Sequence, residues 1–207
     1  MRCFVAIELP PGAVLALGAA GCAIRELDAT WANEKWATPD VLHVTLKFLG
    51  NVDKPMVDRL GQEIAAAFSQ VPVFPLELTG LRAVPEAGRA SMIWASVVDS
   101  SGGCRNLARA ANQVAVRNGI EPESRPFVPH VTLVRARMPR RVESDVLTQA
   151  TESSGLGAVI PVSVLSATLF SSTLTPRGPV HERLLEFALQ GEMGSDRSGR
   201  PGAERSR

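Results

Sequence analysis

Arg2 to Leu9 carries Phe, Val and Ile in a short alternating run that predicts an opening strand. Pro10-Pro11 then starts a helix, rich in alanine and leucine, that is expected to reach about Asp28. After a short stretch around Trp31 to Trp36, Thr38-Pro39-Asp40 makes a turn. His43 to Leu49 reads as the next strand, ended by Gly50-Asn51. Asp53 is placed to cap a helix from Pro55 to about Ser69, with Met56, Leu60, Ile64 and Ala67 or Phe68 on its inner face. Val73 to Val84 and Ala90 to Val98 predict two strands joined by a turn at Pro85 to Gly88.

A second helix-rich stretch is expected from Ser101 to Gly119, where Leu107, Ala111 and Val114 fall at helical spacing. Glu121 to Pro129 is a proline-punctuated loop that delivers the chain into a strand beginning at His130. Arg141 to Thr151 reads as another helix, and Val159 to Leu165, Ser166 to Thr173 and Val180 to Leu189 as closing strands. Each half thus holds a histidine strand, then a helix, then a hairpin. That order suggests an α+β fold of two similar lobes, mostly antiparallel, with helices packed outside and the histidine strands facing a central groove. Interleaved strands and helices also fit a parallel doubly wound sheet, but the hairpins and the lack of a Gly-rich strand-to-helix turn weigh against it. Residues 1–190 are expected to form one bilobed domain.

Composition narrows the partners. A chain of 207 residues with 45% hydrophobic residues can bury a sizeable core. Its 22 basic and 21 acidic residues leave a net charge of +1, so no overall field captures nucleic acid at long range. A phosphate-bearing substrate must therefore be held locally. Cys3, Cys22 and Cys104 are odd in number and lack Cys-x-x-Cys spacing, which argues against a disulfide framework and a zinc site and for a reducing cytoplasm. The apolar run Ala13 to Ile24 is short and broken by Gly18 and Gly21, so no membrane span is expected. Glu8 and Pro10-Pro11 interrupt any secretory signal. Residues 191–207, dominated by Gly, Ser, Arg, Asp and Glu, have little to bury and are expected to be a disordered tail. A monomer is the expected state.

His43-Val44-Thr45-Leu46 recurs, letter for letter, as His130-Val131-Thr132-Leu133, using two of the three histidines in the chain. An identical tetrapeptide arises readily by chance; requiring two of three histidines to be followed by the same three residues is far stricter. In an alternating strand each histidine projects beside its own threonine, while the valine and leucine face a core. Two such strands facing each other surround a small site with two imidazoles and two hydroxyls. One imidazole can take a proton from an attacking oxygen and the other can give one to a leaving oxygen, both titrating near neutral pH. The hydroxyls can donate to phosphate oxygens as charge shifts. The constellation therefore suits phosphoryl chemistry without a metal or other cofactor.

The segment Lys35-Trp36-Ala37-Thr38-Pro39-Asp40-Val41-Leu42-His43-Val44-Thr45-Leu46-Lys47-Phe48-Leu49-Gly50 closely resembles the first motif of the two-histidine (2H) phosphoesterases. Within that superfamily it is similar to the RNA 2′,3′-cyclic phosphodiesterases, historically called 2′-5′ RNA ligases. Arg2-Cys3-Phe4-Val5-Ala6-Ile7 with Pro10-Pro11 matches their first strand and helix, and Arg125-Pro126-Phe127-Val128-Pro129-His130-Val131-Thr132-Leu133 resembles their second motif. The match covers about residues 2 to 190.

The resemblance implies a bilobed fold with a deep groove and a reaction that opens a 2′,3′-cyclic phosphate on RNA to a 2′-phosphomonoester, with reversible 2′-5′ joining of ends. It implies that His43 is the proton donor to the departing 3′-oxygen, that His130 activates the water, and that Thr45 and Thr132 bind the phosphate. Nothing in the bare residues distinguishes acid from base. Arg135 lies where relatives often place a basic residue near the phosphate, and its guanidinium could pair with a non-bridging oxygen. Phe48 and Phe127 are candidates for stacking on a nucleobase, and Arg125 for a second basic contact. His181 stands where relatives commonly have tyrosine, a residue this chain lacks altogether, and no ligand spacing around it suggests a metal. The same site could instead serve 2′-5′-linked oligonucleotides or an ADP-ribose cyclic phosphate, or bind RNA ends without turnover.

Overall fold

The computed structural model describes residues 1–176 and 178–191; of the expected tail, residues 192–207 lie outside the described residues. The first strand, β1 (Arg2–Glu8), leads into helix α1 (Pro11–Leu27), whose proline at the first helical position needs no backbone donor. A single 3-10 turn at Ala29–Trp31 and the two-residue strand β2 (Lys35–Trp36) fill the stretch around the tryptophans. Strand β3 (His43–Asn51) carries the first histidine motif, and helix α2 (Lys54–Phe68) follows, capped by Asp53 Oδ1 accepting from the Met56 amide at 2.9 Å. The pair β4 (Phe74–Val84) and β5 (Ala90–Val98) precedes helix α3 (Gly103–Arg117) and the second motif strand β6 (His130–Arg140). Helix α4 (Ser144–Ser153) and strands β7 (Ile160–Val164), β8 (Ser166–Thr175) and β9 (Gly178–Ala188) complete the chain.

The strands form one curled sheet in the order β7-β4-β5-β6-β3-β1-β8-β9, with β2 alongside β6, and every pairing between named strands is antiparallel. Among the described residues, β3 and β6 touch through a single residue pair, Val44 with Val131. The sheet is therefore two four-stranded halves hinged at the two histidine strands. Helices α2 and α3 pack together on the half containing β3, and α1 and α4 pair on the half containing β6. The α+β, mostly antiparallel reading holds, and helices cover the outer face.

The lobes are not the two halves of the chain. The β4–β5 hairpin follows the first motif but pairs with the second motif strand, and the β8–β9 hairpin follows the second motif but pairs through β1 with the first. Sequence order alone pairs each hairpin with the motif before it; register and burial decide otherwise. Smaller departures follow the same cause. The helix expected at Arg141 begins at Ser144, and the last strand begins at Gly178, so His181 is its fourth residue. On α2, Val57 is buried, and Met56 and Ala67 are only partly covered.

Alternation builds the core. Cys3, Val5 and Ile7 of β1, Val44 and Leu46 of β3 and Val131 and Leu133 of β6 are all buried in one cluster that spans the hinge and includes Leu60, Ile64, Leu107 and Val114 from the helices. The opposite faces of those strands look into the groove.

Candidate active site

Both motif strands break their alternation at the same place. In β3, Val44 and Leu46 are buried, but so is Lys47, and Phe48 is exposed. The register explains it: Ala6 pairs with Thr45 and Val5 with Lys47, so Leu46 is an extra residue in a β-bulge. In β6 the pairs are Trp94 with Thr132 and Ile93 with Val134, so Leu133 is the extra residue; Val134 is buried and Arg135 exposed. Uninterrupted alternation puts Phe48 and Arg135 on the far side from the histidines. The bulges return them to the groove face, and they extend the structural repeat beyond the identical letters.

The Val44–Val131 pair sets the two motifs face to face. Carrying the antiparallel register one residue either way aligns His43 with Thr132 and Thr45 with His130. The arrangement has a local two-fold relation, each imidazole being flanked by its own threonine and faced by the other's.

Each imidazole is oriented by the carbonyl two residues before it. His130 Nδ1 lies 2.8 Å from the Val128 carbonyl oxygen, so Nδ1–H donates there and Nε2 is left with its lone pair. The Val41 carbonyl plays the same part for His43, favouring its charged form. His43 Nε2 lies 2.9 Å from Thr45 Oγ1, and in the neutral ring the hydroxyl donates to it. The surroundings differ. His43 stacks on Phe4 at 4.8 Å between centroids, with Phe170 at 6.4 Å and His181 edge-on at 5.6 Å. His130 packs under the Trp94 indole at 3.9 Å.

These environments move the proton affinities in one direction. Burial, chiefly, and the positive charges of His181 and His130 lower His43 to about 4, against the Val41 carbonyl, which raises it. Burial also lowers His130, with Arg135 adding to the effect and the Val128 carbonyl opposing it. His181 is lowered by burial and Arg2, and raised by Asp40 and by the Val180 backbone. Both motif imidazoles are thus neutral near pH 7, and the negative charge of a phosphate favours their charged forms.

The remaining sequence-derived candidates divide. Arg135 shares the groove face with His130 and Thr132, its guanidinium against the Met92 thioether at 2.6 Å. Phe48 is 48% exposed beside Phe4, open to a ligand. Phe127 instead packs against the main core, and Arg125 is an exposed residue of the loop ahead of β6. That loop is held by Lys47, whose buried Nζ donates to the Glu121 carbonyl at 2.9 Å and pairs with Glu123 at 3.2 Å. His181 joins the site as a neighbour of His43, its Nδ1 buried and without a hydrogen-bond partner among the described residues. Behind these rings a cavity of about 320 Å3 is lined by Glu8, Asp40, His43, Phe170 and His181, among others. Phe4, Trp94 and Phe170 were not legible as site residues, because aromatics in alternating strands read as core. The signal that could have found them is their parity with the histidines in neighbouring strands. Among the described residues no group of three or more His, Cys, Asp or Glu is arranged to hold a metal ion, and no helix is long and apolar enough to cross a membrane.

Comparison with known proteins agrees with this geometry. The family model of the 2′-5′ RNA ligase superfamily matches residues 19–165. An RNA 2′,3′-cyclic phosphodiesterase of Aeropyrum pernix is 32% identical over 144 residues, which cover 70% of this chain and 80% of that protein. One of Thermus thermophilus is 30% identical over 210 residues, covering 98% and 97%. Among solved structures, TT0787 of Thermus thermophilus has a TM-score of 0.72 at 27% identity, covering 93% of this chain and 100% of that one. Escherichia coli LigT complexed with 3′-AMP has a TM-score of 0.64 at 24% identity, covering 92% and 98%, a likeness of fold.

Proposed function

The chain belongs to the 2′-5′ RNA ligase superfamily, and from that premise we propose that it is a hydrolase, an RNA 2′,3′-cyclic phosphodiesterase that yields 2′-phosphomonoesters. The reading rests on one observation above the others. The Val44–Val131 pair aligns each histidine with the other motif's threonine, which supports two imidazoles and two hydroxyls acting on one phosphate.

His130 takes the proton of the attacking water at Nε2 as the water oxygen bonds to phosphorus. The bond from phosphorus to the 3′-oxygen breaks, and His43 gives its proton to that oxygen, leaving the phosphate on the 2′-oxygen. Thr45, Thr132 and Arg135 donate to the non-bridging oxygens as charge builds on them. What supports this division of labour is hydrogen bonding: the Val128 bond fixes the His130 tautomer that leaves Nε2 as an acceptor, and the Val41 carbonyl favours the charged form of His43 that a donor needs. After turnover the two rings have exchanged protonation states, and solvent restores them. With a 5′-hydroxyl in place of water, the same steps join two RNA ends through a 2′-5′ bond.

Product analysis tests the proposal. A 2′,3′-cyclic-phosphate oligonucleotide incubated with the protein in EDTA is expected to give the 2′-monoester, with turnover nearly abolished in His43→Ala and His130→Ala while circular dichroism is unchanged. A 3′-monoester product, or full activity in both variants, overturns it.

A further inference from the structure

The two threonines begin equivalent rows across the sheet, and the rows end in opposite charge. From Thr45 the paired residues run Ala6, Thr168 and Glu186 across β1, β8 and β9. From Thr132 they run Trp94 and Arg82 across β5 and β4. Directly paired residues project to one face, so Arg82 stands in the same groove as Thr132, two strand spacings or about 9.5 Å away, with the indole between them. On the β3 side, Arg183 is tied to Glu8 at 2.7 Å, and Glu186 accepts from Ser166. On the β6 side, Arg82 is exposed, and no carboxylate lies within ion-pair distance of it among the described residues.

A phosphate at Thr132 is thus followed along the row by an aromatic surface and then by a free guanidinium. That sequence matches one nucleotide: the reacting phosphate, the base, and the phosphodiester on the 5′ side. Trp94 is partly exposed, leaving some of the indole open beyond its contact with His130. Every base has a face that can stack on it. An arginine separated from the chemistry by one nucleotide cannot serve a mononucleotide, which has no phosphodiester on that side.

We propose that Arg82, with Trp94, forms a second subsite that holds the 5′-side phosphodiester of the terminal nucleotide, so that single-stranded RNA leaves the groove over β5 and β4. The inference rests on the phosphodiesterase reading and adds polarity and a minimum length to it: the preferred substrate is an oligoribonucleotide, and Glu186, at the end of the β3-side row, disfavours its backbone there.

The test compares 2′,3′-cyclic AMP with an adenosine dinucleotide ending in a 2′,3′-cyclic phosphate, in wild type, Arg82→Ala and Arg82→Lys. Wild type is expected to favour the dinucleotide about tenfold in kcat/KM, the worth of one charge-assisted phosphate contact. Arg82→Ala is expected to lose that preference while keeping its rate on the cyclic mononucleotide, and Arg82→Lys to keep most of it. The salt dependence of KM for the dinucleotide should also flatten by about 0.7 in log–log slope in Arg82→Ala. Equal rates on the two substrates in wild type, or an equal loss on both in Arg82→Ala, overturns the subsite. If wild type opens neither compound, the phosphodiesterase reading fails, and affinities for the corresponding 2′-phosphates then decide the subsite. Arg82-dependent preference for the dinucleotide product upholds it, and equal affinities overturn it.

Discussion

The Trp94 indole packs over the His130 imidazole with 3.9 Å between ring centroids, one strand away from the threonine it pairs with. The indole fixes the ring plane from above, and the Val128 carbonyl fixes it from behind. Removing the indole frees the imidazole to rotate. Trp94→Ala is expected to lower kcat about three- to tenfold, matching the worth of a close aromatic pair, and Trp94→Phe to keep most of the rate. Steady-state kinetics on a cyclic mononucleotide check this, since the split between kcat and KM separates ring orientation from base stacking.

The direction of proton flow is open to a chemical test. A substrate with sulfur in place of the 3′-bridging oxygen expels a thiolate that needs no proton. His43→Ala is expected to lose about 10²- to 10⁴-fold on the oxygen substrate and to recover on the sulfur one, while His130→Ala stays impaired on both. Recovery in His130→Ala alone reverses the assignment.

Both imidazoles bind protons more weakly than in an unfolded chain, and this sets the pH dependence of turnover. The productive form needs one ring charged and the other neutral, so kcat/KM should peak between about 4, where His43 titrates, and the unperturbed 6.5 below which His130 lies. The phosphate of a bound substrate raises both, so kcat should peak at higher pH than kcat/KM. A pH series of both constants decides; coincident maxima count against the neutral resting site.

The same shifts act on stability. Between pH 6.5 and about 4 the unfolded chain binds a proton at the His43 position that the folded chain does not, so unfolding becomes easier as pH falls through that window. The contribution present above pH 6.5, on the order of 3 kcal/mol for His43, is lost progressively toward pH 4. Thermal melts should show Tm falling over this range, and His43→Phe should flatten the slope.

His181 competes with His43 for one proton. Its ring lies 5.6 Å from His43, with Asp40 and Arg2 the charged groups that act on it, Asp40 raising and Arg2 lowering its affinity. His181→Phe removes the competing charge, so the acid side of the kcat/KM profile should become shallower and its maximum move up by as much as about one pH unit. A profile that falls in height but does not move indicates a packing role only.

The histidines and threonines of the site were legible because strand parity and an identical tetrapeptide speak locally. Arg135 was legible by type but not by face: counted by alternation from His130 it points into the core, and the bulge at Leu133 turns it back. A bulge depends on the partner strand, so a single strand's letters do not announce it. Lys47 illustrates the same limit, because a lysine in an exposed-looking strand proves buried against the carbonyl of Glu121, 74 residues on. The outer helices followed from periodicity within two or three residues at most ends. The pairing of each hairpin with the distant motif strand did not, because contacts closed over such long loops are set by the assembled core and not by neighbours in sequence.

That exchange of hairpins makes the two lobes inseparable in a genetic sense. Neither is encoded by a contiguous stretch of chain: the β3 lobe needs β8 and β9 from the far end, and the β6 lobe, whose strands β4 to β7 are consecutive, needs α1 and β2 from before the first motif. A cut in the α3 region leaves each fragment with unpaired strand edges and half a core, so neither fragment retains a working imidazole–threonine set in place. The distance between His43 and His130 is thereby set by the folding of the whole sheet at once, and the acid and base are assembled together or not at all.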